Sequence, residues 1–198
     1  VPFSEEIFTR LGDTYRRIRN TLRILLGNLN DFASNTPSSR AERSAVEGAR
    51  DQTVKVTQRD SSTSLGMTLV DRWILERLDE VIGTCRSAYE KFEFHKVYHA
   101  LNQFCAVDLS SLYVDITKDR MYCDAPDAPR RRATQAAMRE IFDALSKLLA
   151  PVLVFTAEEA WRHSAVAGID DVGQGGSSAR ATTSVHLQEF PDPENRGR

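Results

Sequence analysis

The sequence predicts an all-α fold, a helical bundle of four long amphipathic helices with a short fifth helix. Two observations support this fold class. Apolar residues recur at intervals of three and four along four long stretches, a spacing that places them on one face of a helix. No stretch shows convincing strand alternation, and only residues 185–190 alternate weakly. With 198 residues, 41% of them hydrophobic, the chain is long enough to bury a core, and we expect a soluble, globular unit.

The first helix is predicted over residues 4–32. Ser4 is a residue type that caps helices, and Glu5 and Glu6 follow where the helix dipole favours negative charge. An apolar stripe then begins at Ile7 and Phe8 and continues for roughly seven turns. We therefore expect Ser4 to cap a long amphipathic helix.

Residues from about 33 to 69 differ in composition from the rest of the chain. They contain no aromatic residue, many serines and isolated apolar residues. Such a segment buries too little surface to offset its ordering entropy, so we predict a flexible insertion within a single domain spanning residues 1–198. Five basic residues of the insertion are candidates for enlarging a binding surface: Arg40, Arg43, Arg50, Lys55 and Arg59.

The second and third helices are predicted at residues 68–89 and 94–119. The stripe of the third helix includes Leu109, Leu112 and Ile116, which α-helical spacing places on one face. Prolines within residues 123–129 must break the helix there, and a fourth helix then begins and ends before Pro151.

The fifth helix is predicted to begin at Thr156 and to continue to about His163. Thr156 and Glu159 match a capping box, in which each side chain bonds the backbone amide of the other residue. Residues from about 164 to 183 are rich in glycine and serine and predict a flexible loop. The segment 185–190 is expected to dock in an extended conformation.

The first helix carries a local excess of positive charge, although the net charge of the chain is only -2. No acidic residue occurs between Thr14 and Asn30, and Arg16, Asn20 and Arg23 share one helical face with Arg19 beside them. Guanidinium groups at this spacing are suited to phosphate oxygens. The alternative is an ordinary solvated face.

A second basic cluster, residues 130–132, stands at the start of the fourth helix, where the dipole gives no local reason for cations. It is a candidate for phosphate contact. The alternative is that it only contributes to solubility, with its charge partly neutralised by the nearby Asp124 and Asp127.

Trp73 and Trp161 lie on amphipathic helices and are expected in the core, with stacking on a nucleobase as the alternative.

No catalytic or metal site is predicted. His95 and His99 could share a metal from one helical face, but no third ligand follows at a typical spacing. Cys85 and Cys105 fall on apolar stripes and are expected to be buried thiols in a reducing cytoplasm. Neither a signal peptide nor a membrane-spanning segment is apparent, and the lack of an initiator methionine suggests a fragment.

Several segments in order resemble the isoleucyl-tRNA synthetases. They are YRRIRNTLRILLGNLNDF at 15–32, DRWIL at 71–75, YEKFEFH at 89–95, FC at 104–105 with DLS at 108–110, and YVDITKDRMY at 113–122. LAPVLVFTAEEAW at 149–161 and VHLQEFP at 185–191 resemble the end of the same domain. The valyl-tRNA synthetases are the nearest alternative family, and a helical scaffold with no RNA role is the alternative outside these families.

The resemblance implies a cytoplasmic, monomeric module that grips the anticodon stem-loop of isoleucine tRNA. Catalytic and editing domains elsewhere in a parent chain would use ATP and Mg²⁺, and a zinc module follows in many bacterial members. This chain alone is expected to have no aminoacylation activity and to hold no cofactor. The residues expected to contact RNA are Arg16, Arg19, Asn20 and Arg23, with Arg72, Trp73, Lys118 and Arg120 as weaker candidates.

Overall fold

The computed structural model of the chain describes residues 4–32, 67–166 and 184–193. The described residues are mainly helical and contain no β-strand, which confirms the all-α fold class. The helices are α1 (Glu5–Leu29), α2 (Leu69–Glu90), α3 (Phe94–Gln103), α4 (Val114–Cys123), α5 (Pro129–Leu149) and α6 (Val154–Val166). A π-helical segment (Phe104–Tyr113) joins α3 to α4. A short 3-10 turn (Val185–Leu187) comes after α6 in the chain.

The bundle is built around α1, α2, α5 and the π-helical segment. Each of these elements packs against at least two of the others, and α6 covers the side formed by α1 and α5. The core includes Leu25 of α1, Ile82 of α2 and Phe142 of α5, all with no exposed surface. Trp161 of α6 is also fully buried, which confirms its predicted place in the core. None of the described helices combines the length and the hydrophobicity needed to cross a lipid bilayer.

The predicted third helix is continuous from Phe94 to Cys123, but its middle is π-helical rather than α-helical. The amide of Val114 donates to the carbonyl of Leu109, five residues earlier, so each turn is wider than an α-helical turn. The wider turn keeps a residue at every fourth position on the core side. One buried series at this spacing is Cys105, Leu109, Tyr113, Thr117 and Met121.

Two residues of the predicted apolar stripe therefore face outward. Leu112 and Ile116 are each 44% exposed, whereas Leu109 has no exposed surface. The expectation that Leu112 and Ile116 face the core was wrong, because it assumed α-helical spacing through a π-helical segment.

The start of α2 is fixed by a buried carboxylate. Asp71 accepts hydrogen bonds from the amide and hydroxyl of Thr68, and the Thr68 hydroxyl caps the amide of Asp71. This capping box extends ordered structure back into the predicted insertion, since residues 67–69 are described. The predicted flexibility of residues 33–66 lies outside the described residues.

The start of α6 differs from the sequence prediction. The helix begins at Val154, so Thr156 lies within its first turn and the capping box with Glu159 does not form. Turns that follow Pro151 set this earlier start: the amide of Leu153 donates to the carbonyl of Leu149, and the amide of Ala157 donates to Leu153. At the other end, residues 164–166 belong to α6, and the predicted flexibility of residues 167–183 lies outside the described residues.

The predicted docking of the segment near residue 185 is confirmed, although its first residues form a 3-10 turn rather than an extended strand. Val185 is buried, and its amide donates to the carboxylate of Glu158. Ser184 donates to the same carboxylate, and Arg86 of α2 donates to the carbonyl of Pro191. Burial acts to raise the pKa of Glu158, but the hydrogen bonds from Ser184, Val185 and Arg162 together lower it.

The first two turns of α1 are less buried than its later turns. Ile7, Phe8 and Leu11 are exposed, and the buried residues begin only further along the helix, with Thr14 and then Ile18. Ser4 occupies the N-cap position, but its side chain makes no capping hydrogen bond. The predicted capping role of Ser4 was therefore wrong, although the predicted helix is present.

Candidate nucleic-acid interface

The exposed side of α1 presents the four residues expected to contact RNA. Arg16, Arg19, Asn20 and Arg23 are all exposed, because the opposite side of the helix carries the buried stripe from Ile18 onward. We call these four residues the arginine face. Asn20 is exposed, so it is not a buried hydrogen-bonding contact between helices.

A groove of about 570 Å³ runs between α1 and α6 beside the arginine face. We call it the α1–α6 groove. Three members of the arginine face, Arg19, Asn20 and Arg23, line it together with Asn30. The α1 side also contributes apolar surface from Leu22 and Leu26.

The opposite wall of the groove is provided by α6. Thr156, Glu159, Ala160 and His163 line this wall. The hydroxyl of Thr156 hydrogen bonds that of Tyr15 of α1 at 3.1 Å. Sequence reasoning did not identify Glu159 and His163 as site residues. The only signal for Glu159 was the TAEE motif, which was interpreted as a capping box.

The cationic groups of the arginine face are only partly neutralised. Arg16 pairs with Asp13 at 2.7 Å, but both side chains are more than half exposed. Arg19 lies 3.8 Å from Glu159, at the outer limit of an ion pair. Arg23 and Asn20 have no hydrogen bond or ion pair with another described side chain. Exposed pairs of this kind contribute little to stability, so these groups are available to a ligand.

The second basic cluster is largely used inside the protein. Arg131 pairs with Asp31 at 2.8 Å, and Arg132 donates to the carbonyls of Asp31 and Phe32 at the end of α1. The Arg132 guanidinium also lies over the Phe32 ring, 5.7 Å from its centroid. Only Arg130 is exposed, and it donates two hydrogen bonds to Asp124. Two of the three arginines thus hold the end of α1, a role that depends on residues about a hundred positions away.

Arg120, a weaker candidate for RNA contact, is an interior residue. Its guanidinium donates to the side chains of Thr68, Asp71 and Thr134, and only 14% of its side chain is exposed. Releasing it to reach RNA would leave the fully buried carboxylate of Asp71 without its cation. The structure gives Arg120 a structural role, and we do not include it in the interface.

The other weaker candidates are not brought to the groove. Arg72 is exposed in the first turn of α2, whereas Trp73 is partly buried and packs against the core. Lys118 is exposed on α4, where the hydrogen bond to Asp115 raises its pKa. None of the three lines the α1–α6 groove.

The histidine pair and the cysteines do not form a metal centre within the described residues. His95 and His99 are exposed on α3, and no group of three or more His, Cys, Asp or Glu side chains comes together there or elsewhere in the described ranges. Cys85 and Cys105 are buried, as expected. Burial raises the pKa of Cys85 to about 11 and, together with the neighbouring Cys85, the pKa of Cys105 to about 12. Both remain protonated thiols at neutral pH.

Comparison with known proteins identifies the family to which the chain belongs. A sequence model of the family described as the anticodon-binding domain of tRNA ligase matches residues 71–197, more than half of the chain. The chain therefore belongs to the family of tRNA-ligase anticodon-binding domains.

Several individual proteins to which the chain is similar are isoleucine–tRNA ligases. That of Methylacidiphilum infernorum is 40% identical over 192 residues, which cover 97% of this chain and 17% of the relative. That of Syntrophotalea carbinolica is 44% identical over 190 residues, or 96% of this chain and 17% of the relative. That of Symbiobacterium thermophilum is 44% identical over 160 residues, 81% of this chain and 15% of the relative. These relatives confirm the resemblance to isoleucyl-tRNA synthetases, and the chain spans about a sixth of their length.

Proposed function

We propose that this chain binds the anticodon stem-loop of isoleucine tRNA, and that the arginine face holds the RNA backbone. The observation that carries the proposal is the exposure of Arg16, Arg19, Asn20 and Arg23 along one side of a rigid helix, three of them in a groove. Family membership supports RNA as the ligand, and the names of the relatives support isoleucine tRNA.

The rigidity of α1 makes this face suitable for phosphate binding. Arg19 and Arg23 are one helical turn apart, about 6 Å along the axis, and the buried Leu22 and Leu25 fix the helix beneath them. A guanidinium group offers a planar fork of donors that fits phosphate oxygens. Phosphate contacts position the RNA, while the anticodon bases are distinguished by contacts to their edges.

In the longer protein, we assign attachment of isoleucine to tRNA to other parts of the polypeptide. ATP and Mg²⁺ belong to that reaction, and any Zn²⁺ belongs to a separate module. This chain then acts as a cytoplasmic RNA-binding module of an isoleucine–tRNA ligase and contributes no catalytic residue.

The test is a fluorescence-anisotropy titration of the chain with an isoleucine anticodon stem-loop at low salt. Arg23→Ala is expected to weaken binding by roughly three- to tenfold, because one charge-assisted contact is lost. Arg10→Ala is the matched control, since Arg10 is an exposed arginine of the same helix that pairs with Glu6 away from the groove.

Equal binding by Arg23→Ala and the unaltered chain would exclude the arginine face as the phosphate site. Absence of binding by the unaltered chain, together with capture of a protein partner, would favour the helical scaffold.

A further inference from the structure

The α1–α6 groove contains a negative charge that a simple phosphate site would not need. Glu159 projects from α6 to within 3.8 Å of Arg19, and about half of each side chain is exposed. Its neighbour Glu158 is turned to the other side, where it binds Ser184 and the amide of Val185. The structural role in this part of α6 therefore belongs to Glu158, and the carboxylate of Glu159 is left facing the groove.

The charge distribution differs along the groove. Near Arg19 the carboxylate of Glu159 offsets the guanidinium charge, so a phosphate placed there would meet a like charge close by. Near Arg23 no described carboxylate offsets the positive charge. A phosphate is thus favoured more strongly at Arg23 than one helical turn away, beside Glu159.

The shape and lining of the groove suit a flat heterocycle. Leu22 and Ala160 are buried beneath it, Leu26 is partly buried, and polar side chains stand on both walls. A volume of about 570 Å³ lies in the range of sites that hold small molecules. An apolar floor with polar walls can cover the face of a base and bond its edge, as proteins do with unstacked bases of single-stranded RNA.

We propose that the α1–α6 groove binds one unstacked nucleobase that carries an amino group, and that Glu159 is the residue that determines this specificity. An ionised carboxylate only accepts hydrogen bonds, and the amino groups of cytosine, adenine and guanine donate them. Uracil presents a carbonyl oxygen where cytosine presents its amino group, and two acceptors facing each other repel. The inference rests on the proposed function, because the backbone of the same nucleotide lies on Arg23.

The experiment compares two hairpins with the same stem, one with a loop of cytidine only and one with a loop of uridine only. Both loops are pyrimidine, so stacking and flexibility are closely matched. The unaltered chain is expected to bind the cytidine loop about fivefold or more tightly than the uridine loop. Glu159→Gln should bring this ratio close to one, mainly by raising affinity for the uridine loop, because an amide both donates and accepts.

Glu76→Gln is the control, since it removes the same charge from an exposed position on α2 that does not line the groove. Far-ultraviolet circular dichroism checks that both variants fold. Equal binding of the two loops by the unaltered chain overturns the inference, and so does a cytidine preference that Glu159→Gln leaves intact.

The proposed function is tested separately by the affinity common to both loops. If Arg23→Ala lowers that common affinity while Glu159 has no effect on the ratio, the phosphate site stands and the base site is rejected. If neither loop binds at low salt, the base site is rejected, and the titration with the isoleucine anticodon stem-loop decides the proposed function.

Discussion

Asp71 shows how one buried residue connects four elements of this bundle. Its carboxylate has no exposed surface and accepts hydrogen bonds from Tyr113 at 2.8 Å and Thr134 at 3.2 Å, in addition to those from Thr68 and Arg120. Burial first, and then the charge of Asp71, raises the pKa of Tyr113 far above its ordinary value, so the phenol keeps the proton that it donates. The start of α2, the end of the π-helical segment, α4 and the first turns of α5 thereby share one anion.

Asp71→Ala is expected to lower the free energy of unfolding by about 3–5 kcal/mol. The substitution leaves the largely buried guanidinium of Arg120 without its counter-ion and several donors without an acceptor. Urea unfolding followed by circular dichroism measures the change. Asp115→Ala, which breaks an exposed pair with Lys118, is the control and should leave the unfolding midpoint unchanged. Similar midpoints for both variants would contradict a structural role for the Asp71 network.

At the scale of the element, the π-helical segment decides which side of a long helix faces the core. Its wider turns place buried residues at every fourth position, and Thr21 of α1 hydrogen bonds Ser110 on the adjoining side. Arg77 of α2 pairs with Asp108 of the segment at 3.2 Å. These side-chain contacts connect the π-helical segment to α1 and to α2.

Two leucines provide a direct test of this register. Leu109→Ala is expected to cost about 2–5 kcal/mol of unfolding free energy, because it removes a fully buried side chain and leaves a cavity. Leu112→Ala should cost less than about 1 kcal/mol, since nearly half of that side chain is already in water. Equilibrium denaturation of the two variants gives the comparison. Equal losses, or the larger loss at Leu112, would show that this stretch is α-helical in solution.

The sequence was sufficient to predict the helices and one wall of the groove, because both follow from helical periodicity. The exposure of Arg16, Asn20 and Arg23 on one side of α1 required only that spacing. The other wall was missed because α6 begins two residues before Thr156, which turns Glu159 from a capping residue into a groove residue. The inward use of Arg131 depends on Asp31, and no local pattern indicates a contact over such a separation.

At the scale of the whole molecule, charge is unevenly placed. The net charge is only -2, so the proposed attraction to RNA has to come from a local basic patch rather than from the protein as a whole, and the arginine face is the patch that we propose. Binding that depends on a few phosphate contacts releases few counter-ions and falls as salt rises.

The logarithm of the binding constant is therefore expected to fall with the logarithm of salt concentration, with a slope of roughly -2 for three phosphate contacts to single-stranded RNA. Arg23→Ala should reduce the magnitude of this slope by about 0.7, because that is the contribution of one phosphate contact. Arg130→Ala should leave it unchanged, because two hydrogen bonds to Asp124 already occupy that guanidinium. Titrations at several salt concentrations measure the slopes. A larger change for Arg130→Ala than for Arg23→Ala would move the phosphate site to the start of α5.

The contacts that hold the end of α1 affect how the protein tolerates changes in chain length between α1 and α2. Arg132 holds the carbonyls of Asp31 and Phe32, and the box formed by Thr68 and Asp71 holds the start of α2. Both points that flank residues 33–66 are thus secured by contacts with the bundle. The entropy of closing a loop between fixed points grows only logarithmically, by about 0.6 kcal/mol for each doubling of its length. Insertions or grafted peptides at this position should therefore cost little stability, which makes it a natural attachment point for added sequence.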